Sequence, residues 1–307
     1  MSSSVLYDAP GPKARRRSKI ISIVGFVLIL ALVAWVVSSL AAPRVSVNGA
    51  VSPSLLDPSR WDVFLDVQVW LGLGDGLAAT LRMAGVAAVG ALVIGLLFCF
   101  GRTSTTKWIR IPSSVLLEFF RGIPVLLLML FTLLVFSTGA YWAGVAGLAI
   151  YNGAIIGEAL RAGILSLPKG QRESGLALGL TPLKTRLIIE FPQAFRQMLP
   201  IIIAQLVVLL KDTSLAYVIS YPELLRTGMT YLANFYGESY RFSFFVVVLG
   251  IYLAINLTLS WLARVVARRT AGGAKGRRGK GARPETPVID TAKIPDATMG
   301  GGGAPGL

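Results

Sequence analysis

The stretch that decides the reading runs Pro168-Lys169-Gly170-Gln171-Arg172-Glu173-Ser174-Gly175-Leu176-Ala177-Leu178-Gly179-Leu180-Thr181-Pro182. It continues Leu183-Lys184-Thr185-Arg186-Leu187-Ile188-Ile189-Glu190-Phe191-Pro192. Pro168 and Pro182 suit first helical turns, where a missing N–H leaves no intrahelical bond unmade. Thr181 suits an N-cap, and Gly179 a left-handed position that closes a helix. The segment therefore predicts a short helix with Glu173 in its first turn, a tight glycine turn, and a second helix. A carboxylate in that first turn meets the positive end of the helix dipole. Such a cap-defined hairpin is built to dock something, and is no mere linker.

Apolar runs lie on both sides of it. The chain has 307 residues, is 54% hydrophobic and 15% charged, and has a mean hydropathy of +0.68. Ordinary soluble domains are about 45–50% apolar and about 25% charged. Spans are predicted at 20–40, 76–100, 113–137, 139–160, 197–220 and 242–264, each long enough to cross about 30 Å of hydrocarbon. Lys and Arg crowd the flanks on one side, among them Arg102, Lys107, Arg110, Arg161, Lys169, Arg172, Lys184, Arg196, Arg264 and Arg268. Arg44, Arg60, Arg226 and Arg241 on the other side are offset by acids such as Glu223 and Glu238. The positive-inside rule then puts both termini in the cytoplasm.

The expected organisation is a basic cytoplasmic N-terminus over 1–19, a membrane helix over 20–41, and an extracytoplasmic loop over 42–74. A membrane domain follows over 75–268 with its inner loop at 161–196, then a disordered basic tail over 269–307. Ser39-Leu40-Ala41-Ala42 also resembles a signal-peptidase site, but the preceding apolar run exceeds the ~7–15 residues of such signals. The net charge of +15 (30 Lys+Arg against 15 Asp+Glu) is thus a topology signal, with the basic tail facing anionic lipid rather than nucleic acid.

Several chemistries are absent from the sequence. With no histidine, there is no imidazole base, no Ser-His-Asp triad and no His-ligated metal. Cys99 is the single cysteine, so neither an intramolecular disulfide nor a CxxC site exists. No phosphate-binding G-x-x-x-x-G-K-[ST] loop occurs, so any ATP used is hydrolysed by another chain.

Glu173-Ser174-Gly175, then Gly179 after three residues, then Ile189-Glu190-Phe191-Pro192 after nine more, resembles the EAA motif of ABC-importer permeases. Arg121-Gly122-Ile123-Pro124, Leu167 to Gln171, Ala177 to Leu180, Pro192 to Arg196 and Lys211 to Leu215 are similar to phrases of its polar amino-acid uptake branch. The likeness covers about residues 70–268. Ser174-Gly175 stands where the family has Ala-Ala, and Phe191 where it has Leu. The resemblance implies an all-α integral membrane protein with the type I importer fold, a five-helix core plus one extra N-terminal helix. It implies a non-catalytic permease subunit of the bacterial plasma membrane, working with ABC ATPase subunits, a second permease (paralogue or self) and an extracytoplasmic amino-acid-binding protein. No cofactor is expected on this chain, since ATP and Mg belong to the partner ATPase. Glu173, Ser174, Gly175, Gly179, Leu180, Ile189 and Pro192 become the implied ATPase-coupling residues. The chain looks most like glutamate-uptake permeases of high-GC Gram-positive bacteria.

Charges inside the membrane supply the substrate-path candidates, because a Lys, Arg or Asp at a helix centre costs about 2.5–3.5 kcal/mol on insertion scales. They are Arg82, a turn and a half into its span, Arg121 beside the Gly122/Pro124 disruption, and Lys211, Asp212, Thr213 and Ser214 deep in the fifth span. The alternatives are structural: Arg82 snorkelling, Arg121 marking the inner boundary or pairing with Glu118, and Lys211 and Asp212 pairing with neighbours or a partner subunit. Gly153-x-x-x-Gly157 reads as a helix-packing surface. Tyr217, Tyr221, Tyr240 and Trp142 read as interfacial anchors. An ion-coupled carrier or channel using Arg82, Lys211 and Asp212 is the rival function. A membrane enzyme is disfavoured by the missing histidine and the lack of a carboxylate pair or metal motif.

Overall fold

The computed structural model describes residues 11–45 and 51–275. Eleven helices are found among them: α1 (Pro12–Ala41), α2 (Val67–Arg102), α3 (Lys107–Gly122), α4 (Val125–Phe136), α5 (Gly139–Leu165), α6 (Lys169–Ala177), α7 (Pro182–Thr185), α8 (Phe191–Asp212), α9 (Leu224–Arg226), α10 (Ala233–Tyr236) and α11 (Arg241–Lys275). Short 3₁₀ and π-helical turns join them, and the strands among the described residues form a two-residue antiparallel ladder, β1 (Arg44–Val45) on β2 (Val51–Ser52), with Arg44 opposite Ser52. Five helical stretches are long and apolar enough to cross a membrane, or six if the bent α3–α4 pair counts as one span.

Helices α2 and α5 form the centre, and small residues let their backbones meet. A Cβ on Gly153 would lie 2.7 Å from Ile94 Cγ2 and 3.1 Å from the Ala91 carbonyl. On Gly157 it would lie 2.8 Å from Phe98 Cβ, and on Gly95 2.8 Å from Ile156 Cγ2. The Gly153-x-x-x-Gly157 surface is therefore a packing surface, as its spacing implied. Overpacking a tight interface costs about 1–3 kcal/mol, occasionally more. Gly153→Val is expected to lower the thermal midpoint of the detergent-purified protein by several degrees, whereas Gly85→Val, where an added Cβ meets nothing within 4 Å, leaves it unchanged.

A second, smaller apolar cluster gathers Val63, Val69, Leu73, Leu224, Phe244 and Val248 at the opposite end from the hairpin. Asp66 caps α2 there, accepting from the Gln68 N–H at 2.9 Å and the Tyr236 hydroxyl at 2.6 Å. Those bonds, the tyrosine's first, hold its carboxyl below the ordinary carboxylate range.

Four expectations need correcting. The span at 113–137 is not one rod: α3 and α4 meet at a 103° bend across Ile123-Pro124. Proline disfavours the helical region for the residue before it, and Ile123 is extended at φ −91°, ψ 130°. The twelve residues of α4, about 18 Å long, do not cross the bilayer alone. The loop drawn over 42–74 ends at Asp66, because α2 starts at Val67 rather than near residue 76. Helix α1 starts at Pro12, inside the N-terminal segment drawn to residue 19. The tail drawn from 269 is helical through Lys275, and its remainder, 276–307, lies outside the described residues.

Candidate functional site: the coupling hairpin and the intramembrane polar groups

Helix α6 ends where the turn chemistry requires. Gly179 has φ +79°, its N–H bonds the Leu176 carbonyl at 3.0 Å, and the Leu180 N–H bonds the Gly175 carbonyl at 3.1 Å. This pair of bonds is the Schellman closure, which favours glycine at the left-handed position. Thr181 Oγ1 then accepts from the Lys184 N–H at 3.3 Å, with Pro182 opening α7. Gly175 faces the returning helix so closely that a Cβ would lie 2.6 Å from Thr185 Cγ2 and 2.9 Å from Ile189 Cδ1. The motif positions 175 and 189 are thus packing partners across the hairpin. Ser174 Oγ only donates to the Gly170 carbonyl at 2.7 Å on the exposed side.

The second arm does not stop at the hairpin. Residues Arg186–Glu190 form a π-helical turn, and the Phe191 N–H bonds the Arg186 carbonyl five residues back. Pro192, which has no N–H to give, sits just inside α8, and the wider turn absorbs the missing bond. One helical path thus runs from Pro182 to Tyr217, joining hairpin and membrane span. Gln193 Nε2 ties it back to Gln171 Oε1 on α6 at 3.2 Å. At the tip, Leu178 is 80% exposed and Leu183 58% exposed, an apolar end without cover in the monomer.

Glu173 is not in the first turn. Helix α6 begins at Lys169 with Pro168 as its cap residue, so no acid lies in its first turn and the dipole reading of Glu173 fails. The carboxylate is exposed mid-helix and faces a cavity between α6 and the α2–α3 loop.

An ion-pair network, of which only the Arg121–Glu118 arm was legible in the sequence, clamps the hairpin-side ends of three helices. Arg102 of α2 donates to Glu158 of α5 at 2.6 Å and to Glu118 of α3 at 3.2 Å. Arg161 binds Glu158 through Nε at 2.9 Å and Nη2 at 2.6 Å, and Arg121 reaches Glu118 at 3.4 Å. The Glu118 pair, one of the readings open for Arg121, is formed. Deeper in, Gln205 of α8 donates to the buried Asn152 of α5 at 2.8 Å.

The remaining path candidates are divided. Because α2 starts at Val67, Arg82 lies near the middle of its helix, exposed and without an ion-pair partner among the described residues. Lys211 lies at the end of α8, where the helix tightens into a 3₁₀ turn over Thr213–Tyr217. Lys211 and Ser214 line a groove of about 430 Å³ with Tyr252 and Asn256 of α11. Asp212 is half-buried, and the Thr213 hydroxyl turns back to the Leu210 carbonyl at 2.6 Å. The structure therefore joins Lys211 and Ser214 in one groove and leaves Arg82 and Arg121 outside it.

One aromatic reading changes. Tyr221 is buried, and its hydroxyl donates to the Ala79 carbonyl at 3.2 Å, so it is a tertiary contact and not an anchor. The Tyr217 ring lies 5.7 Å from the Arg226 guanidinium, which also donates to the Tyr217 carbonyl at 2.9 Å. Beside them Glu223 is fully buried and accepts at 2.7 Å from each of the Leu225 N–H, the Arg226 N–H and the Tyr252 hydroxyl. Burial raises the pKa of its carboxyl against those bonds. The sequence marked Glu223 only as an outside acid, and no pattern marked it as buried.

Long apolar helices, one of them continuous with an exposed helical hairpin, give the class of a multi-pass membrane protein. The profile of the family described as binding-protein-dependent transport system inner membrane component matches residues 91–272, and the chain belongs to that family. It is 38% identical over 241 residues to the glutamate transport system permease protein GluD of Corynebacterium glutamicum, covering 76% of this chain and 87% of that one. It is 33% identical over 202 residues to the probable glutamine ABC transporter permease protein GlnP of Bacillus subtilis, covering 62% of this chain and 90% of that one. Among solved structures, an amino acid ABC transporter crystallised with histidines matches with TM-score 0.59 and 29% identity, covering 66% of this chain and 96% of that chain. The MetNI methionine transporter in inward-facing form shares the fold alone, at TM-score 0.56 and 18% identity over 67% of this chain and 99% of that chain. The architecture is that of type I ABC-importer permeases, and the chain is a multi-pass member of this transport family.

Proposed function

We propose that this permease carries glutamate inward, driven by a separate ABC ATPase that docks on the α6–α7 hairpin. The observation that carries the reading is the single helical path from the hairpin into α8, which lets movement at the tip reach Lys211 and Ser214. The apolar tip at Leu178 and Leu183 fits a cleft in the ATPase, with Gly179 setting the hairpin's angle and Glu173 adding a charged contact. A second permease and an extracytoplasmic binding protein complete the transporter, and ATP and Mg bind on the ATPase. Similarity to a glutamate permease supports the substrate. Alternating access follows because ATP-bound and ATP-free partners stabilise different conformations of the same path.

In the α8–α11 groove, the Lys211 ammonium pairs with a substrate carboxylate and the Ser214 hydroxyl adds a hydrogen bond. Lys211→Ala is expected to cut glutamate uptake about tenfold, the loss of one charge-assisted bond, with normal abundance and thermal midpoint. Uptake unchanged in Lys211→Ala, Arg82→Ala and Arg121→Ala alike would remove the cationic path.

Orientation is tested with single cysteines in a Cys99→Ser background. Positions 57 and 238 are expected to react with a membrane-impermeant maleimide from outside, and position 172 only after permeabilisation. External labelling at 172 would invert the whole arrangement. The function itself is tested by uptake of radiolabelled glutamate in a strain lacking the gene, with other amino acids as competitors. Preferential competition by a neutral or cationic amino acid would reassign the substrate.

A further inference from the structure

The hairpin face holds a cavity of which the coupling account uses only Glu173. It occupies about 560 Å³ between α6 and the α2–α3 loop and is lined by six cations: Arg102, Arg110, Arg161, Lys169, Arg172 and Arg186. Only Glu173 and Glu190 oppose them in the lining. Arg102 and Arg161 are held by Glu158, but Arg110, Lys169 and Arg172 have no ion-pair partner among the described residues. Arg186 lies deepest. Its side chain is 7% exposed, its Nε has no hydrogen-bond partner, and Glu190 stands off at 3.9 Å.

A buried guanidinium with an unmade N–H bond is costly unless an acceptor reaches it. Water satisfies the bond and hydrates the exposed Arg110, Lys169 and Arg172, but brings no negative charge to a cavity rich in cations. A tetrahedral phosphate does both, because its several anionic oxygens accept from guanidinium forks arriving from different directions. The volume exceeds that of a bare phosphate and leaves room for a headgroup, and basic pockets between membrane helices are known to hold phospholipid headgroups.

We infer that this cavity binds a phosphate-bearing anion, either an anionic phospholipid headgroup or a soluble phosphate, seated between Arg186 at the base and Arg110 and Arg172 at the rim. Bound there, the anion bridges α6 to the α2–α3 loop and fixes the hairpin's tilt from the side. The site is distinct from the leucine tip and does not depend on which solute the permease carries.

The test uses the full chain in nanodiscs of phosphatidylcholine with a minor share of phosphatidylglycerol, reading retained lipid by native mass spectrometry. The wild type is expected to retain phosphatidylglycerol over phosphatidylcholine, with preference falling about fivefold for each cation removed in Arg186→Gln and Arg172→Gln. Inorganic phosphate, titrated to millimolar levels, separates the sources. Retention that resists phosphate assigns the lipid. Phosphate binding to the lipid-free protein in detergent, weakened by the same substitutions, assigns the soluble anion. Should Arg186→Gln fail to insert, Arg172→Gln and Arg110→Gln at the exposed rim carry the test. Equal retention by wild type and rim variants, or binding of neither lipid nor phosphate, overturns the site.

Discussion

Gly179→Val is expected to leave the protein inserted and abundant while transport and substrate-stimulated ATP hydrolysis fall together, by tenfold or more. Gly179 holds φ +79° at the closure of α6, and a β-branched residue forced there costs about 1–3 kcal/mol or rebuilds the turn. Nothing lies within 4 Å of an added Cβ, so the defect is conformational and not a clash. Rebuilding the turn re-aims the leucine tip and breaks the two closing bonds from Gly179 and Leu180. Reconstitution with partner subunits, with uptake and ATPase rate read from one preparation, checks it. Gly179→Asn, which tolerates the left-handed region, should recover part of both activities. Normal coupling in the valine variant would mean that the hairpin is not the lever.

Glu223→Ala is expected to have the largest effect on stability. It would leave the Leu225 N–H, the Arg226 N–H and the Tyr252 hydroxyl without their acceptor. Each unsatisfied buried group costs about 1–3 kcal/mol, so the combined loss is about 3 kcal/mol or more. The consequence is a thermal midpoint in detergent lowered by several degrees, with reduced abundance. Glu223→Gln keeps an acceptor oxygen and should lose less than half as much. If alanine and glutamine variants melt with the wild type, the carboxylate is not the joint between α9 and α11.

Local features were legible in the sequence because their causes are local. The Gly179 turn, the Thr181 cap and the Gly153-x-x-x-Gly157 surface each follow from residues within one or two helical turns. Glu173 falls outside the first turn whichever role Pro168 takes, fifth in the helix after a Pro168 cap and sixth in one that starts at Pro168, so the dipole reading fails on spacing alone. The Gly122/Pro124 disruption was legible as a break, but nothing in the residues beside it set the 103° angle between α3 and α4. Contacts between distant residues left no trace at all. Thr80 Oγ1 accepts from Leu224 N–H across 144 residues and Arg102 meets Glu158 across 56, with no spacing rule to announce either. Tyr221 was misread because a tyrosine near a span end looks the same whether its hydroxyl meets water or the Ala79 carbonyl.

The central claim is that this chain is a path worked by another chain's ATP hydrolysis, and one measurement bears on it most directly. Proteoliposomes containing the permease, its ATPase partners and the binding protein are assayed for uptake of radiolabelled glutamate, with ionophores collapsing every ion gradient. The account predicts uptake that requires ATP on the hairpin side, survives the ionophores and disappears when the ATPase is omitted. Uptake by the permease alone, driven by an ion gradient and indifferent to ATP, would contradict it.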